Sequence, residues 1–346
     1  MFSLLVLMGD ATARSADSLT QHKDSLPRLK KMSEYLSLKL SLTDNLEAFV
    51  ITSNNTKYDF RPNTRAATRL SFNYRFVSFS ISAAPKFIPG NEDTHLKGRS
   101  RFRNYAFNLN FNHWAQGLSF THTKGYYLEN TSDFSANWRH GVDPYVQLPN
   151  LIYQAFQGQT AYKFNKNFSF NAISVQTERQ LRSAGTFMPG LSYKYFFLAD
   201  RTPENLTDST QHSNNLEFLL SVPYYYTFVF RQKFYVSAGL VPGAGVMFTS
   251  VRNYGGTRGE RASARSAIFK FDAGLGFGYN GERFFAGAQM QSSNIGYGSR
   301  SSNDVLVNAR ASYQLFFGYR FGAPKILKKL FDFAEKKQKY LLDKLK

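Results

Sequence analysis

The sequence predicts an all-β fold: an integral outer-membrane antiparallel β-barrel of about 12 strands, followed by a C-terminal amphipathic helix. Three observations predict it. Apolar side chains recur with period two over stretches longer than the ~5–6 residues of an ordinary soluble strand. Short and long connections alternate along the chain. No apolar run in the 346 residues approaches the ~18–20 that a membrane helix needs, so any crossing has to be made by strands.

Composition narrows the classes further. Apolar residues make up 42% and aromatics 16%, an aromatic load that excludes a disordered chain. Cys is 0, which excludes a disulfide scaffold, a thiolate metal site, a Cys nucleophile and a lipoprotein anchor. Lys+Arg 43 against Asp+Glu 24 gives +19, a charge suited to an acidic partner or surface. The basic residues are spread along all the strands rather than gathered in one patch, so no nucleic-acid partner is expected.

Phe2 to Met8 is apolar and is followed by small residues, so 1–16 reads as a signal peptide, one without the usual basic n-region. Residues 17–34 are polar and basic, a periplasmic linker. The barrel is expected over 35–321. Leu36, Leu38, Leu40 and Leu42 open it, alternating with Ser37, Lys39 and Ser41. Leu70, Phe72, Tyr74 and Phe76 follow, then Val77, Phe79 and Ile81, then Tyr105, Phe107, Leu109 and Phe111. Leu216 to Phe228 and Phe269 to Tyr279 carry further stripes. Val305 to Phe321 closes the set, long enough for the ~9–11 residues of a tilted membrane strand. The apolar rows are rich in Phe and Tyr, as lipid-facing girdles are; the opposite rows are Ser, Asn, Gln and Gly, as a lumen is.

Short links fall at 76–77, 112–116, 165–167, 231–233 and 280–282. Long polar links fall at 43–64, 86–101, 127–152, 199–213, 250–266 and 293–304. This gives twelve strands with both termini periplasmic, provided 168–198 is one long interrupted strand. Splitting that stretch, with an added strand from 43–64, gives fourteen. After Phe321 the period becomes helical, and 322–346 reads as a basic amphipathic tail helix with eight lysines against three acids. Lys325, Lys328, Lys329, Lys336 and Lys337 would meet anionic headgroups or a periplasmic partner.

The candidate functional residues lie in the lumen. Arg65, Arg69 and Arg75 share one face of one expected strand. Lys270, Asp272, Arg310 and Arg320 lie on lumen faces of others, with Lys39, Lys163 and Lys194. Rings of Arg and Lys favour anions in a pore. The same residues could pair with lumen acids, fill the interior or bind lipopolysaccharide phosphates. Glu178, Arg179, Arg182 and Gly185 sit where the strand pattern breaks. They are the candidates for a kink or inward constriction.

Gly274, Gly276 and Gly278 imitate a nucleotide loop, but they occupy alternate strand positions ahead of an Asn280-Gly281 turn and are read as clearing the lumen. His122 is the one histidine near hydroxyls, yet strand geometry puts Ser119 on the opposite face, so no catalytic pair is expected. No histidines have metal-ligand spacing, and no cofactor is expected. The expected function is a narrow or gated passive channel for small anionic solutes. The alternative is a plugged structural barrel that binds a partner through its tail helix and loops. A lipid-modifying enzyme is the third reading, and it lacks a triad.

Several short motifs carry a family resemblance: Tyr58-Asp59-Phe60-Arg61-Pro62-Asn63, Gly125-Tyr126-Tyr127 and Ser183-Ala184-Gly185-Thr186-Phe187, with the closing strand and its basic tail. Over roughly 30–335 the chain resembles the outer-membrane barrel family of the Bacteroidetes known as domain of unknown function 4421. The resemblance implies an outer-membrane location and brings no substrate or site residues. Tyr313 to Phe321 also resembles the terminal-strand signal read by the barrel-assembly machinery, which with outer-membrane lipid and lipopolysaccharide completes the expected partners.

Overall fold

Side chains that alternate between two environments need a sheet with two different faces, and closing that sheet on itself leaves no unpaired edge. The computed structural model, which describes residues 27–44, 48–53, 56–91, 93–202, 210–254, 261–299 and 305–344, has this form. Its wall runs β1 (Tyr35–Thr43), β2 (Ala67–Tyr74), β3 (Val77–Ala83), β4 (Arg101–Asn110), β5 (Trp114–Leu128) and β6 (Gln147–Tyr162). It continues with β7 (Ala184–Phe187 extended by Gly190–Asp200) and β8 (Thr210–Ser221 extended by Tyr224–Phe230). β9 (Phe234–Tyr254), β10 (Arg261–Asn280), β11 (Phe284–Ser299) and β12 (Val305–Gly322) complete it. Neighbours are antiparallel throughout, and β12 pairs back onto β1 from Gln314 opposite Thr43 to Gly322 opposite Tyr35.

The two faces separate as the alternation predicts. Leu40, Phe72, Phe79, Phe107, Phe156, Phe269, Leu275 and Phe317 are exposed on the outside. Ser37, Ser41, Ser71, Asn73, Ser78, Ser80 and Ser82 are buried inside. The breaks in β7 and β8 coincide with Pro189 and Pro223, which cannot donate to the ladder. Their carbonyls still accept, Pro189 from Tyr162 N at 2.9 Å and Pro223 from Met188 N at 2.9 Å, so the wall stays continuous.

Between β6 and β7 the structure corrects the expected strand over 168–198. The wall resumes only at Ala184. Residues 163–183 turn into the lumen instead and form a plug with a short helix (Phe170–Ser174) and a strand (Glu178–Gln180). The reason is local. Ser169 caps the helix, accepting from Ala172 N at 2.9 Å, and Gln176 leaves it with φ +55°, a left-handed conformation incompatible with a strand. The plug strand pairs with Leu29–Lys31 of the expected linker, so that segment is also structured. The expected signal peptide at 1–16 lies outside the described residues. The 43–64 segment does contain a hairpin (Phe49–Ser53 with Thr56–Arg61), but it leans on β5 through Phe60 and Arg61 and adds nothing to the wall, so the count is twelve. The tail helix occupies Lys325–Lys344.

Candidate functional site

The plug sits at the short-turn end of the lumen and is held from most sides. Its apolar side packs Phe168 and Ile173 against Ala184 and Tyr235, with Phe170 and Tyr225 alongside. A Cβ at Gly278 would lie 2.7 Å from the Tyr235 hydroxyl, so the glycine opposite Tyr235 gives that ring its space. The polar side is a set of carbonyls met by lumen donors. Lys39 Nζ donates to Ser174 O, Gln289 Nε2 to Ile173 O at 2.9 Å, and Asn280 Nδ2 to Ala172 O and Glu178 O at 3.1 Å. Arg320, with no exposed surface, donates to Gln176 O at 2.6 and 3.0 Å, Gly281 O at 2.5 Å and Asn280 Oδ1 at 2.6 Å. A buried cation has to be fully hydrogen-bonded to be tolerated, and carbonyls meet that need here.

Below Arg320 the turn residue Glu282 joins the linker strand to the plug. It accepts from Lys30 of the linker strand at 2.8 Å and from Arg179 of the plug strand. Arg179 also donates to Asn280 O at 2.9 Å and Gln232 O at 3.1 Å, tying the plug to two turns. The hydrogen bond from Lys30, with Arg179 and Arg320 nearby, holds the Glu282 carboxyl below the usual carboxylate range. A depressed carboxylate contributes stability above its unfolded value, near 4.5, and loses it as pH falls through the folded value. Acidification below that point should therefore loosen the plug. Amide-exchange protection factors over 176–180 are expected to fall in acid, and Glu282→Gln should show the low protection already at neutral pH. Equal protection in acid and at neutrality would remove Glu282 from the latch.

Above the plug lies a chamber of about 1760 Å³, overhung by the 49–61 hairpin. The hairpin is placed by Phe49, which stacks on Phe60 at 5.1 Å and tilts against Tyr126 at 5.1 Å. Lys57, Arg61, Arg65, Lys97, Lys194, Lys270 and Arg310 line the chamber against Asp44, Asp59, Asp200 and Glu217. Some of this charge is compensated. Lys270 lies 3.1 Å from buried Asp272, which also accepts from Ser293 Oγ at 2.6 Å; Arg61 lies 3.0 Å from Asp59. The cationic excess remains.

The expected site residues divide accordingly. Arg69 faces the lumen, with Nε 3.0 Å from Ser82 Oγ, and Lys270, Asp272 and Arg310 line or adjoin the chamber. Arg65 and Arg75 do not share a strand face with Arg69, because β2 covers only Ala67–Tyr74. Arg65 precedes it in the chamber mouth. Arg75 takes φ +50° in the turn and swings to the tail helix, 2.7 Å from Asp332 and 3.1 Å from Glu335. Arg320 faces inward as expected but is sealed beneath the plug. Among the break residues, Glu178 accepts from Ser169 Oγ at 2.5 Å and Arg179 anchors the plug. Arg182 ends the plug, its carbonyl accepting from Gln180 Nε2 at 2.8 Å. Gly185 is already in the wall, opposite Tyr226. Of the tail lysines, Lys328 reaches Glu34, whereas Lys325, Lys329, Lys336 and Lys337 are exposed. Sequence reasoning missed Gln176, Glu282 and Lys30. The loss of alternation after Lys163 was the available signal for the plug, and it begins well before Glu178.

A closed antiparallel wall, apolar outside and polar inside, with a plug folded from its own connection, defines an outer-membrane type of β-barrel. The chain belongs to the family described as Domain of unknown function (DUF4421), whose model matches residues 29–321. No curated protein matches it in sequence. Among solved structures it is similar to the outer membrane protease OmpT from Escherichia coli, with 8% identity, TM-score 0.33, and coverage of 84% of this chain and 92% of that one. It is also similar to the translocator domain of the autotransporter NalP from Neisseria meningitidis, with 7% identity, TM-score 0.33, and coverage of 90% and 97%. OmpT of Vibrio cholerae, an outer membrane protein, gives 7% identity, TM-score 0.31, and coverage of 83% and 96%. Likenesses this distant bring no activity to this chain. Ser119 and His122 do lie on opposite faces of β5, with Ser119 opposite Ala106 and His122 opposite Arg103.

Proposed function

We propose that this barrel sits in a bacterial outer membrane with both termini in the periplasm, and works as a gated passive channel for small anionic solutes, residues 163–183 being its gate. The observation that carries the reading is the cation-rich chamber of about 1760 Å³ in a lumen whose short-turn end is filled by a plug held largely by reversible hydrogen bonds and ion pairs. A cationic lining raises the local concentration of anions and lowers their entry barrier. A plug built from the chain's own connection can shift without leaving the molecule. The test is single-channel recording of the refolded barrel in a planar bilayer under a salt gradient. Discrete openings with an anion-favouring reversal potential are expected. Lys270→Gln with Arg310→Gln should move that potential towards zero. Unchanged selectivity in this pair removes the lumen cations from the mechanism.

The second reading, a permanently plugged barrel that binds a partner through its tail and loops, is favoured by the sealed Arg320 and by the ordered tail helix. A correctly folded barrel that stays silent at every voltage would select it.

A further inference from the structure

The tail helix docks with one face and leaves another unpartnered. Phe331 meets Tyr74 edge-on at 4.8 Å and Phe76 at 5.2 Å, while Asp332 and Glu335 pair with Arg75. Tyr74 tells where the helix lies. It belongs to the outward row of β2, where Leu70 and Phe72 are 38% and 42% exposed, yet Tyr74 itself is 4% exposed because Phe331 covers it. The helix therefore meets the outer face of the wall at its rim, and one turn beyond Phe331 its Glu335 borders a pocket that Arg75 and Phe76 share with Asn171, Thr177 and Glu178 of the plug. Phe76 stacks on Phe111 at 5.0 Å, next to exposed Trp114 and Phe164, an aromatic belt at the short-turn end. Aromatic residues concentrate at that level in membrane barrels because their amphipathic rings suit the headgroup region.

On the side away from the wall, Ile326, Leu330 and Phe333 form an i, i+4, i+7 ridge, 83%, 61% and 67% exposed. Exposed Lys325, Lys329, Lys336 and Lys337 accompany it. An apolar ridge edged by lysines, continuous with the outward flank of a membrane barrel, matches a lipid interface in both shape and charge. We propose that this ridge lies in the bilayer leaflet at the short-turn end, with Ile326, Leu330 and Phe333 among the upper acyl chains and the lysines on anionic phosphate headgroups. That this is the inner leaflet rests on the orientation proposed above; the lipid contact does not.

The cysteine-free chain makes the test direct, because single cysteines can be spin-labelled without background. Labels at Leu330→Cys and Phe333→Cys, with Ser135→Cys in the exposed 129–146 loop as reference, are read in the full barrel reconstituted into phosphatidylglycerol-containing bilayers. Gel mobility confirms folding. Collision with oxygen should exceed collision with a water-soluble nickel chelate at 330 and 333, corresponding to a depth on the order of 5–10 Å, and the reverse should hold at 135. Nickel access at 330 and 333 equal to that at 135 overturns the proposal and leaves the ridge to a soluble protein partner. Exclusion of both reagents overturns it in favour of a second barrel. The same depth in purely zwitterionic bilayers overturns the role of anionic headgroups. None of these readouts depends on whether the channel conducts.

Discussion

Excising residues 166–181 and joining the ends with a short glycine-containing turn is expected to yield a barrel that conducts steadily, where the intact protein opens only in discrete events. The graft is physically permissible. The β6–β7 ladder is already closed above the cut: Phe164 N donates to Phe187 O at 3.2 Å, Asn165 N to Thr186 Oγ1 at 3.0 Å, and Asn165 Nδ2 to Gly185 O at 2.8 Å. Loop-closure entropy changes slowly with length, so shortening this connection changes that cost little. Excision leaves Lys39, Gln289 and Arg320 without their plug carbonyls, but water entering a polar lumen can replace those partners. The measurement is conductance under a salt gradient, with folding checked by gel mobility. Larger, persistent currents that still favour anions would place the gate in the plug and the selectivity above it. A folded but non-conducting excision variant would show that the wall itself, or the overhanging hairpin, closes the path, and the gate assignment would be abandoned.

The second large effect is on stability. Arg320→Met retains most of the side-chain volume and removes the charge and all five N–H donors. It strips Gln176 O, Gly281 O and Asn280 Oδ1 of their buried donor. Leaving buried acceptors unmet costs about 1–3 kcal/mol each, so the loss should be on the order of a few kcal/mol. Arg310→Met, at a chamber-lining position, should stay within about 0.5 kcal/mol of the parent, as surface changes do. Urea-driven unfolding followed by gel mobility compares the two. Because Arg320 donates through Nε, Nη1 and Nη2 from one rigid plane that also lies 4.9 Å over the Phe285 ring, Arg320→Lys should recover only part of the loss. Equal stability of the Arg320 and Arg310 variants would mean that the buried contacts of Arg320 contribute nothing to holding the barrel together.

The alternation along Leu36–Leu42, Leu70–Tyr74 and Tyr313–Phe321 was enough to read strands and faces, because a period of two is a local property that each strand states for itself. The alternating lengths of the connections likewise placed both ends of the wall. The basic lumen of Arg69, Lys270 and Arg310 was legible for the same reason: which face a strand residue takes follows from parity. What parity could not say is what each inward residue meets. Arg69 and Arg320 look alike in sequence. One faces the lumen beside Ser82, and the other is sealed against Gln176, 144 residues away. Arg75 seemed to continue the face of Arg69 until a left-handed turn carried it out to Asp332 and Glu335. The break after Lys163 announced that something leaves the wall, but not that it turns inward and clasps Leu29–Lys31 and Glu282. Strand and face were legible in the sequence alone, since neighbouring residues suffice to specify them, whereas the choice of twelve over fourteen was decided by the tertiary structure, in which 163–183 leaves the wall and the 49–61 hairpin does not join it. The plug, the Glu282 latch and the docking of the tail were decided by the tertiary structure, since their partners are brought together only when the barrel closes.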